Sequence, residues 1–263
     1  MELLTAKIVV GFFVGILIGM SGVGGGVLLL PVLIFGLRVP ALVAVGSDAL
    51  FNFFTKIPAS LMHLKKGTVR RKVVIALSVG SIPGSICGVK LLMYIRHLYG
   101  DGVNNFIKTT VGVLLIIIPM LLLFQKHIEE RIANRPPTMK GFAGMALIGL
   151  IAGFLVGMTS VGSGSIIMML LLLFYSFPPK VNVGTDIVHA VVLTGVTGLL
   201  HFRLGNVDPG LVVSLLIGSI PGGLIGSHLA TRVPMLWLRR ILCARLRMRL
   251  IRSSHKSLMF LLP

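Results

Sequence analysis

The chain contains two copies of one pattern, displaced by 138 residues. Residues 11–91 align with residues 149–229 without a gap, and 27 of the 81 aligned positions are identical. The same motifs occur in both copies in the same order: GMSGVGGG against GMTSVGSG, VAVGSD against VNVGTD, and GSIPG in both. A duplication of this length indicates two structural repeats, so the two halves are expected to fold in a similar way.

The apolar runs between these motifs predict membrane-spanning helices. Hydrophobic residues make up 55% of the chain and charged residues 12%, about half the charged share of a soluble domain. At about 20 residues per crossing, this is enough for about six or seven spans. The composition excludes a soluble enzyme, a secreted disulfide scaffold and a disordered regulator. The net charge of +18 falls mainly between apolar runs, where the positive-inside rule explains it without a nucleic-acid partner.

Each half has the same order of segments. An apolar helix (6–20 and 141–158) leads into a Gly-rich break, a short apolar arm follows (27–36 and 165–175), and longer apolar segments come next (42–64, 73–95 and 105–125, then 181–202 and 210–230). The counterpart of 105–125 is the strongly basic stretch 243–263. The expected divisions are therefore a first transmembrane repeat (1–125), a cytoplasmic linker (126–140), a second repeat (141–242) and a basic tail (243–263) that replaces or truncates a last helix.

The charges of the loops predict that the two repeats have opposite orientations in the membrane. The loop 65–72 contains five Lys and Arg residues, whereas in the equivalent loop 203–210 Arg203 is offset by Asp208. Opposite orientations require an odd number of crossings per half, and a re-entrant hairpin followed by three spans provides it, because a 10-residue second arm covers only about 15 Å. Parallel repeats with every arm spanning are the alternative, and they leave the charge asymmetry unexplained.

The fold class expected is thus an all-α integral membrane protein. It is a polytopic helical bundle of two inverted repeats, each with a Gly-rich re-entrant hairpin plus up to three spanning helices. We expect it as a multi-pass protein in the plasma (inner) membrane, with the lipid bilayer as its environment.

The Gly-rich breaks are candidates for an anion site. No strand precedes them and no Lys-Ser/Thr pair follows, so neither a dinucleotide fingerprint nor a P-loop fits. Unwound backbone at membrane depth exposes amides at the start of the following half-helix, and such amides bind anions. Close helix packing through small residues is the alternative. The predicted substrate-binding residues are Ser21, Gly22, Gly24, Gly25, Gly26, Thr159, Ser160, Gly162, Ser163 and Gly164.

Two intramembrane carboxylates, Asp48 and Asp186, occupy matching G-[ST]-D triplets. Such a carboxylate is a functional candidate because its burial is costly, although each Asp could simply cap its helix. Protonation of a carboxylate beside an anion site would favour anion binding, which would couple protons to transport. The residues expected to line the pathway are Ser47, Asp48, Asn52, Lys56, Thr185, Asp186 and Thr194.

The polar stripe continues from each Asp at helical spacing. In the first half it comprises Asn52, Lys56, Ser60 and His63, and in the second half Ala190, Thr194, Thr197 and His201, with His189 beside it. Lys56 either pairs with Asp48 or contributes its charge to an anion path. The histidines at the helix ends are interpreted as interfacial, and the GSIPG motifs as helix kinks. Cys87 and Cys243 show no metal-ligand spacing, and no metal or other cofactor is expected.

The combination of GMSGVGGG, VGSD and VGTD, HLKKGTV and HFRLGNV, and the duplicated GSIPG resembles the TauE/SafE sulfite exporter family, also called the TSUP group of membrane transporters. The resemblance covers about residues 8–242. It implies a polytopic transporter for sulfite, thiosulfate, sulfonates or related organosulfur anions, with the two breaks and the two G-[ST]-D segments lining the pathway.

The function expected is secondary transport, with export as the expected direction and protons as the expected coupling ion. The alternatives are a passive anion channel and a membrane assembly or scaffold protein without transport activity. The chain contains neither HExxH nor GxSxG, so an enzyme is not expected. The sequence leaves the oligomeric state open.

Overall fold

A computed structural model describes residues 2–21, 25–132, 141–175 and 178–230 of the chain. Within these ranges every regular element is helical. The first half contains α1 (Glu2–Ser21), α2 (Gly25–Pro31), which continues as a π-helical turn (Val32–Gly36), α3 (Ala41–Lys65), α4 (Arg71–Tyr99) and α5 (Gly102–Ile132). The second half contains α6 (Phe142–Thr159), α7 (Ser165–Phe174), α8 (Pro179–Arg203) and α9 (Pro209–Ala230). The all-helical prediction is confirmed for these residues.

Four of the described helices are long and apolar enough to cross a membrane. These spans are Arg71–Tyr99, Phe142–Thr159, Lys180–Arg203 and Pro209–Gly226. The predicted segments 73–95 and 181–202 fall within two of them, and the predicted segment 210–230 falls within α9, which contains a third. The predicted segment 42–64 forms the 25-residue α3, which is long enough to span but carries the polar stripe. The predicted basic tail 243–263 lies outside the described residues, as does 133–140 of the predicted linker.

The turn that follows α3 is repeated after α8. The amides of Thr68 and Asn206 donate to the carbonyls of His63 and His201, at 3.2 and 2.9 Å respectively. Gly67 and Gly205 each adopt a positive φ, of 64° and 70°, where a Cβ would be strained. The duplicated sequence therefore encodes a duplicated local structure.

The first helix of each half packs against the GSIPG helix of the other half. Along α9, Gly218, Gly222 and Gly226 face Ile8, Phe12 and Ile16 of α1, and along α4, Gly80, Gly84 and Gly88 face Ala146, Leu150 and Phe154 of α6. The paired numbers rise together, so both helix pairs are parallel. Backbone meets backbone at these glycines, which is the close approach that small residues permit between membrane helices.

The equivalent helices α3 and α8 cross each other antiparallel. Gly46 lies beside His201, Leu50 beside Gly198, and Phe53 beside Gly195. Extending this register places Thr55 opposite Leu193, which is its counterpart in the second repeat. A pseudo-two-fold axis that relates α3 to α8 therefore passes between Thr55 and Leu193, and Lys56 is the residue next to Thr55.

We expect Gly80→Val to destabilise the protein by about 3 kcal/mol, because a Cβ at Gly80 would collide with the carbonyl of Ala146 and overpack the contact between α4 and α6. Gly112→Val in α5 is the matched control, since a Cβ there has no neighbour within 4 Å. Thermal unfolding in detergent compares the two variants. Equal unfolding temperatures would contradict this account of the α4–α6 contact.

Candidate functional site

The two Gly-rich breaks come together next to α3. A Cβ built on Gly26 in the first break would lie 2.7 Å from the carbonyl oxygen of Ser160 in the second break. It would also lie 3.1 Å from Oδ2 of Asp48. Glycine at this position thus lets the backbones of the two breaks and the Asp48 carboxylate approach one another.

Asp48 and Asn52 connect the two breaks. Asp48 is fully buried, and its Oδ2 accepts hydrogen bonds from Ser160 Oγ at 2.7 Å and from Asn52 Nδ2 at 2.9 Å. Asn52 Oδ1 in turn accepts from the amide of Gly25 at 3.0 Å. This Gly25 amide, one of the predicted anion-binding groups, therefore donates to Asn52.

Ser160 has a left-handed backbone, with φ of 54°, directly after the end of α6. A non-glycine residue in this conformation is strained by about 1 kcal/mol or more. Its counterpart in the first repeat is Gly22, a predicted site residue that lies outside the described residues, as does Gly24. The strained serine supplies the hydroxyl that holds Asp48.

We expect Ser160→Ala to lower the free energy of unfolding by about 2 kcal/mol, because it removes a hydrogen bond to a buried carboxylate while keeping the strained backbone. Ser160→Gly removes the same bond but relieves the strain, so its loss should be smaller by about 1 kcal/mol. Denaturant or thermal unfolding of both variants measures the difference. A glycine variant less stable than the alanine variant would show that strain at Ser160 is unimportant.

Lys56 places a positive charge at the second break. Its Nζ donates to the carbonyl of Ser163 at 3.2 Å and to Ser163 Oγ at 3.0 Å. The ammonium also interacts electrostatically with Asp186 and with Asp48. It forms no direct ion pair with either of them; among the described residues, Lys7 and Asp208 form the direct ion pair, at 3.7 Å. Its counterpart on α8 is Thr194, whose hydroxyl donates to its own helix at Ala190.

The two carboxylates lie on opposite sides of Lys56. Thr55 of α3 and Leu193 of α8 lie opposite each other at the centre of the crossing, and each aspartate lies seven residues before its own central residue. Seven residues of helix are about 10 Å long. Because the two helices are antiparallel, Asp48 and Asp186 lie in opposite directions from the centre. The two acids therefore sit about 20 Å apart along the helix axes. They do not share one level of the bundle, and Lys56 is the charge between them.

His189, one helical turn from Asp186, and its partner Ser81 were not among the predicted site residues. His189 is fully buried, and its Nε2 lies 2.8 Å from Ser81 Oγ on α4. Two buried atoms, His189 Nδ1 and Asp186 Oδ1, have no hydrogen-bond partner in the described part of the chain. The i, i+3 spacing of Asp186 and His189 is visible in the sequence. Their proximity to Ser81 is not, because it depends on how α4 packs against α8.

Two predicted pathway residues fasten the repeats to each other. Ser47 Oγ accepts a hydrogen bond from the amide of Asp208 at 3.1 Å, and Thr185 Oγ1 accepts one from the amide of Arg70 at 3.1 Å. These two contacts are equivalent under the 138-residue displacement. The hydroxyls of both residues are therefore engaged at the junction between a helix and the opposite repeat.

The remaining predicted residues lie along the two breaks. Thr159 ends α6 and donates to the carbonyl of Leu155, Ser21 ends α1, and Gly162 has a positive φ of 95°. Gly164 immediately precedes α7. Among the described residues, no group of three or more His, Cys, Asp and Glu side chains could hold a metal ion.

His201, interpreted from the sequence as an interfacial residue at the end of its helix, is covered by protein in the structure. His201 is fully buried, and its Nε2 lies 3.1 Å from the carbonyl of Gly157 on α6. The sequence placed it at a helix end, but α6 covers that end of α8. His63 at the equivalent position is partly exposed and bonds Thr68 Oγ1 at 2.8 Å.

Comparisons with known proteins identify similar membrane transporters. The sequence model of the family described as Sulfite exporter TauE/SafE matches residues 7–246. Probable membrane transporter protein YjnA of Bacillus subtilis is 36% identical over 229 residues, covering 86% of this chain and 89% of that protein. Probable membrane transporter protein MJ0441 of Methanocaldococcus jannaschii is 30% identical over 233 residues, covering 85% and 80%. No solved structure matches the chain.

Proposed function

The chain belongs to the sulfite exporter TauE/SafE family of membrane transporters, and from this premise we propose that it exports sulfite, a sulfonate or a related organosulfur anion by secondary transport. The proposed location is the plasma membrane, which the chain crosses several times. The observation that carries the proposal is the position of Lys56. This cation contacts the second Gly-rich break and lies close to the pseudo-two-fold axis between the repeats.

We propose that the two repeats are inverted in the membrane. The antiparallel crossing of α3 and α8 supports this arrangement, because equivalent spans of inverted repeats run in opposite directions. The basic loop 65–72 then faces the cytoplasm, and the nearly neutral loop 203–210 faces outside. The short helices α2 and α7 are assigned as the returning arms of re-entrant hairpins.

The anion binds between Lys56 and the second break in this proposal. The ammonium supplies the charge, and the Ser163 hydroxyl, which accepts from Lys56, keeps its own proton to donate to an oxyanion. Lys56 already contacts Ser163, so a bound oxyanion would replace or share that contact. Because the site lies near the centre of two inverted halves, rocking one half against the other would expose it to either side in turn.

A flux measurement in proteoliposomes tests the proposal. Radiolabelled sulfite, thiosulfate, sulfoacetate and taurine are offered to vesicles containing the purified full chain, with and without an imposed pH gradient. Accumulation of one of these compounds against its own gradient supports secondary transport, and taurine, a zwitterion at neutral pH, shows whether a net negative charge is needed. Flux that only dissipates a gradient indicates a passive channel, and the absence of flux for every anion overturns the transport proposal.

A further inference from the structure

Asp186, His189 and Ser81 form a buried polar cluster that the anion site does not use. Asp186 and His189 lie one helical turn apart on α8, so their side chains share a face. Ser81 Oγ holds His189 Nε2 at 2.8 Å, while His189 Nδ1 and Asp186 Oδ1 lack partners within the described ranges. Buried polar atoms are normally hydrogen-bonded. A proton shared between His189 Nδ1 and Asp186 Oδ1, or a water molecule that bridges them, would satisfy both atoms.

The two repeats differ at this cluster. The counterpart of His189 in the first repeat is Phe51, so Asp48 has no histidine one turn further along α3. Asp48 instead accepts hydrogen bonds from Ser160 and Asn52. The histidine beside Asp186 is thus a feature of only one of the two equivalent carboxylates.

Lys56 is the charged group that acts on both members of the cluster from α3. His63, also on α3, faces Gly184 and is bonded to Thr68. The helix α4 contributes the neutral Ser81, and its first-turn residues Arg71 and Lys72 are exposed. The loop before α4 contributes Arg70 near Thr185, α8 itself has Lys180 in its first turn, and α7 carries no titratable side chain.

We propose that Asp186 and His189 form the proton-carrying site of this transporter, and that Lys56 links this site to the transported anion. The proposal rests on the function proposed above. When the anion binds, it neutralises the Lys56 ammonium and so leaves the Asp186 carboxylate without its compensating charge. Asp186 then takes up one proton, and the neutral carboxyl donates it in a hydrogen bond towards His189 Nδ1.

Neutral His189 can form a hydrogen bond with Asp186 whether the carboxyl group is ionised or protonated. With the proton on Nδ1, the imidazole donates to the Asp186 carboxylate and Nε2 accepts from the Ser81 hydroxyl. With the proton on Nε2, it donates to Ser81 and Nδ1 accepts from the protonated Asp186. One proton is gained per anion bound, so the proton and the anion cross the membrane together and the gradient of one can drive the other.

The proposal is tested by counting protons during anion binding. The purified full chain, in detergent and a weak buffer near neutral pH, is titrated with thiosulfate or sulfoacetate, whichever binds, since neither takes up protons in that range. Calorimetry in two buffers of different ionisation enthalpy gives the number of protons bound. The wild type should take up about one proton per anion, because one carboxyl, Asp186, gains a proton when the anion binds, and by reciprocal linkage a lower pH should tighten anion binding.

Three variants locate the proton. Asp186→Asn should still bind the anion but with proton uptake near zero, and His189→Gln, which can still bond Ser81, should lose most of the uptake. His201→Gln is the matched control and should keep the wild-type proton count. His201 is an equally buried α8 histidine whose Nδ1 also has no partner among the described residues, and it lies about four helical turns from Asp186. Thermal unfolding confirms that each variant is folded.

The outcomes separate this inference from the function on which it rests. Anion binding without proton uptake by the wild type overturns the inference but leaves anion transport standing. Uptake that survives in Asp186→Asn and His189→Gln, or that is lost in Asp48→Asn instead, also overturns it. If neither anion binds to the wild type, the proposed function fails and the inference fails with it.

Discussion

Lys56→Met should reduce anion flux by about a hundredfold or more. The variant removes a charged hydrogen-bond donor worth about 3 kcal/mol to a bound anion, which corresponds to about two orders of magnitude in affinity. It also leaves Asp48 and Asp186 without the cation that lies between them, so their negative charge would repel the anion. The measurement is the initial rate of uptake into proteoliposomes at matched protein density.

Lys90→Met is the matched control for this variant. Lys90 lies on α4 and is exposed, so the same substitution removes an equal charge away from the site and should leave flux within about twofold of the wild type. Lys56→Arg keeps the charge but enlarges the head group, and we expect intermediate flux. Equal flux in Lys56→Met and Lys90→Met would remove Lys56 from the anion pathway.

Cysteines at positions 66 and 204 should react with an impermeant thiol reagent from opposite sides of the membrane. Lys66 and Leu204 are equivalent in the two repeats, and both are exposed. The inverted arrangement places the first in the cytoplasm and the second outside, so the expected difference in sidedness is all-or-none. Single cysteines are introduced after replacement of Cys87 and Cys243, and intact cells are compared with inverted vesicles.

Labelling of both positions from the same side would contradict the inverted arrangement. The control is a cysteine at Asn104 on α5 compared with one at Lys108, one turn further along the same helix. These two positions lie in one element, so any difference between them reflects local access and not sidedness. The difference in labelling between positions 104 and 108 is therefore the difference that local access alone can cause. The difference between positions 66 and 204 should be larger.

The sequence predicted the repeated helices well because their signals are local. The apolar runs that form α4, α8 and α9 are properties of short stretches, and the structure contains the helices they indicated. The partners of those helices could not be read in the same way. Nothing in the GSIPG motif says that Gly80 packs against Ala146 in the other repeat, because this contact depends on how the two halves are arranged.

The candidate site shows the same division between local and long-range information. Asp48, Asn52 and Lys56 were found by their spacing on one helix, and the structure places them against the breaks. The pairing of His189 with Ser81 spans 108 residues, and the burial of His201 depends on α6. A pattern along one helix does not reveal which side chains of other helices complete it.

The central claim is that a site near the centre of the two repeats opens alternately to each side, and Thr194→Cys tests it most directly. Thr194 is the counterpart of Lys56 and is fully buried in the structure, so its thiol can react only when the protein opens. In a background without other cysteines, impermeant reagent applied separately to each face of the membrane should label this cysteine from both sides, and a transported anion should slow both reactions. Labelling from one side alone, in a variant that still transports the anion, would contradict the account.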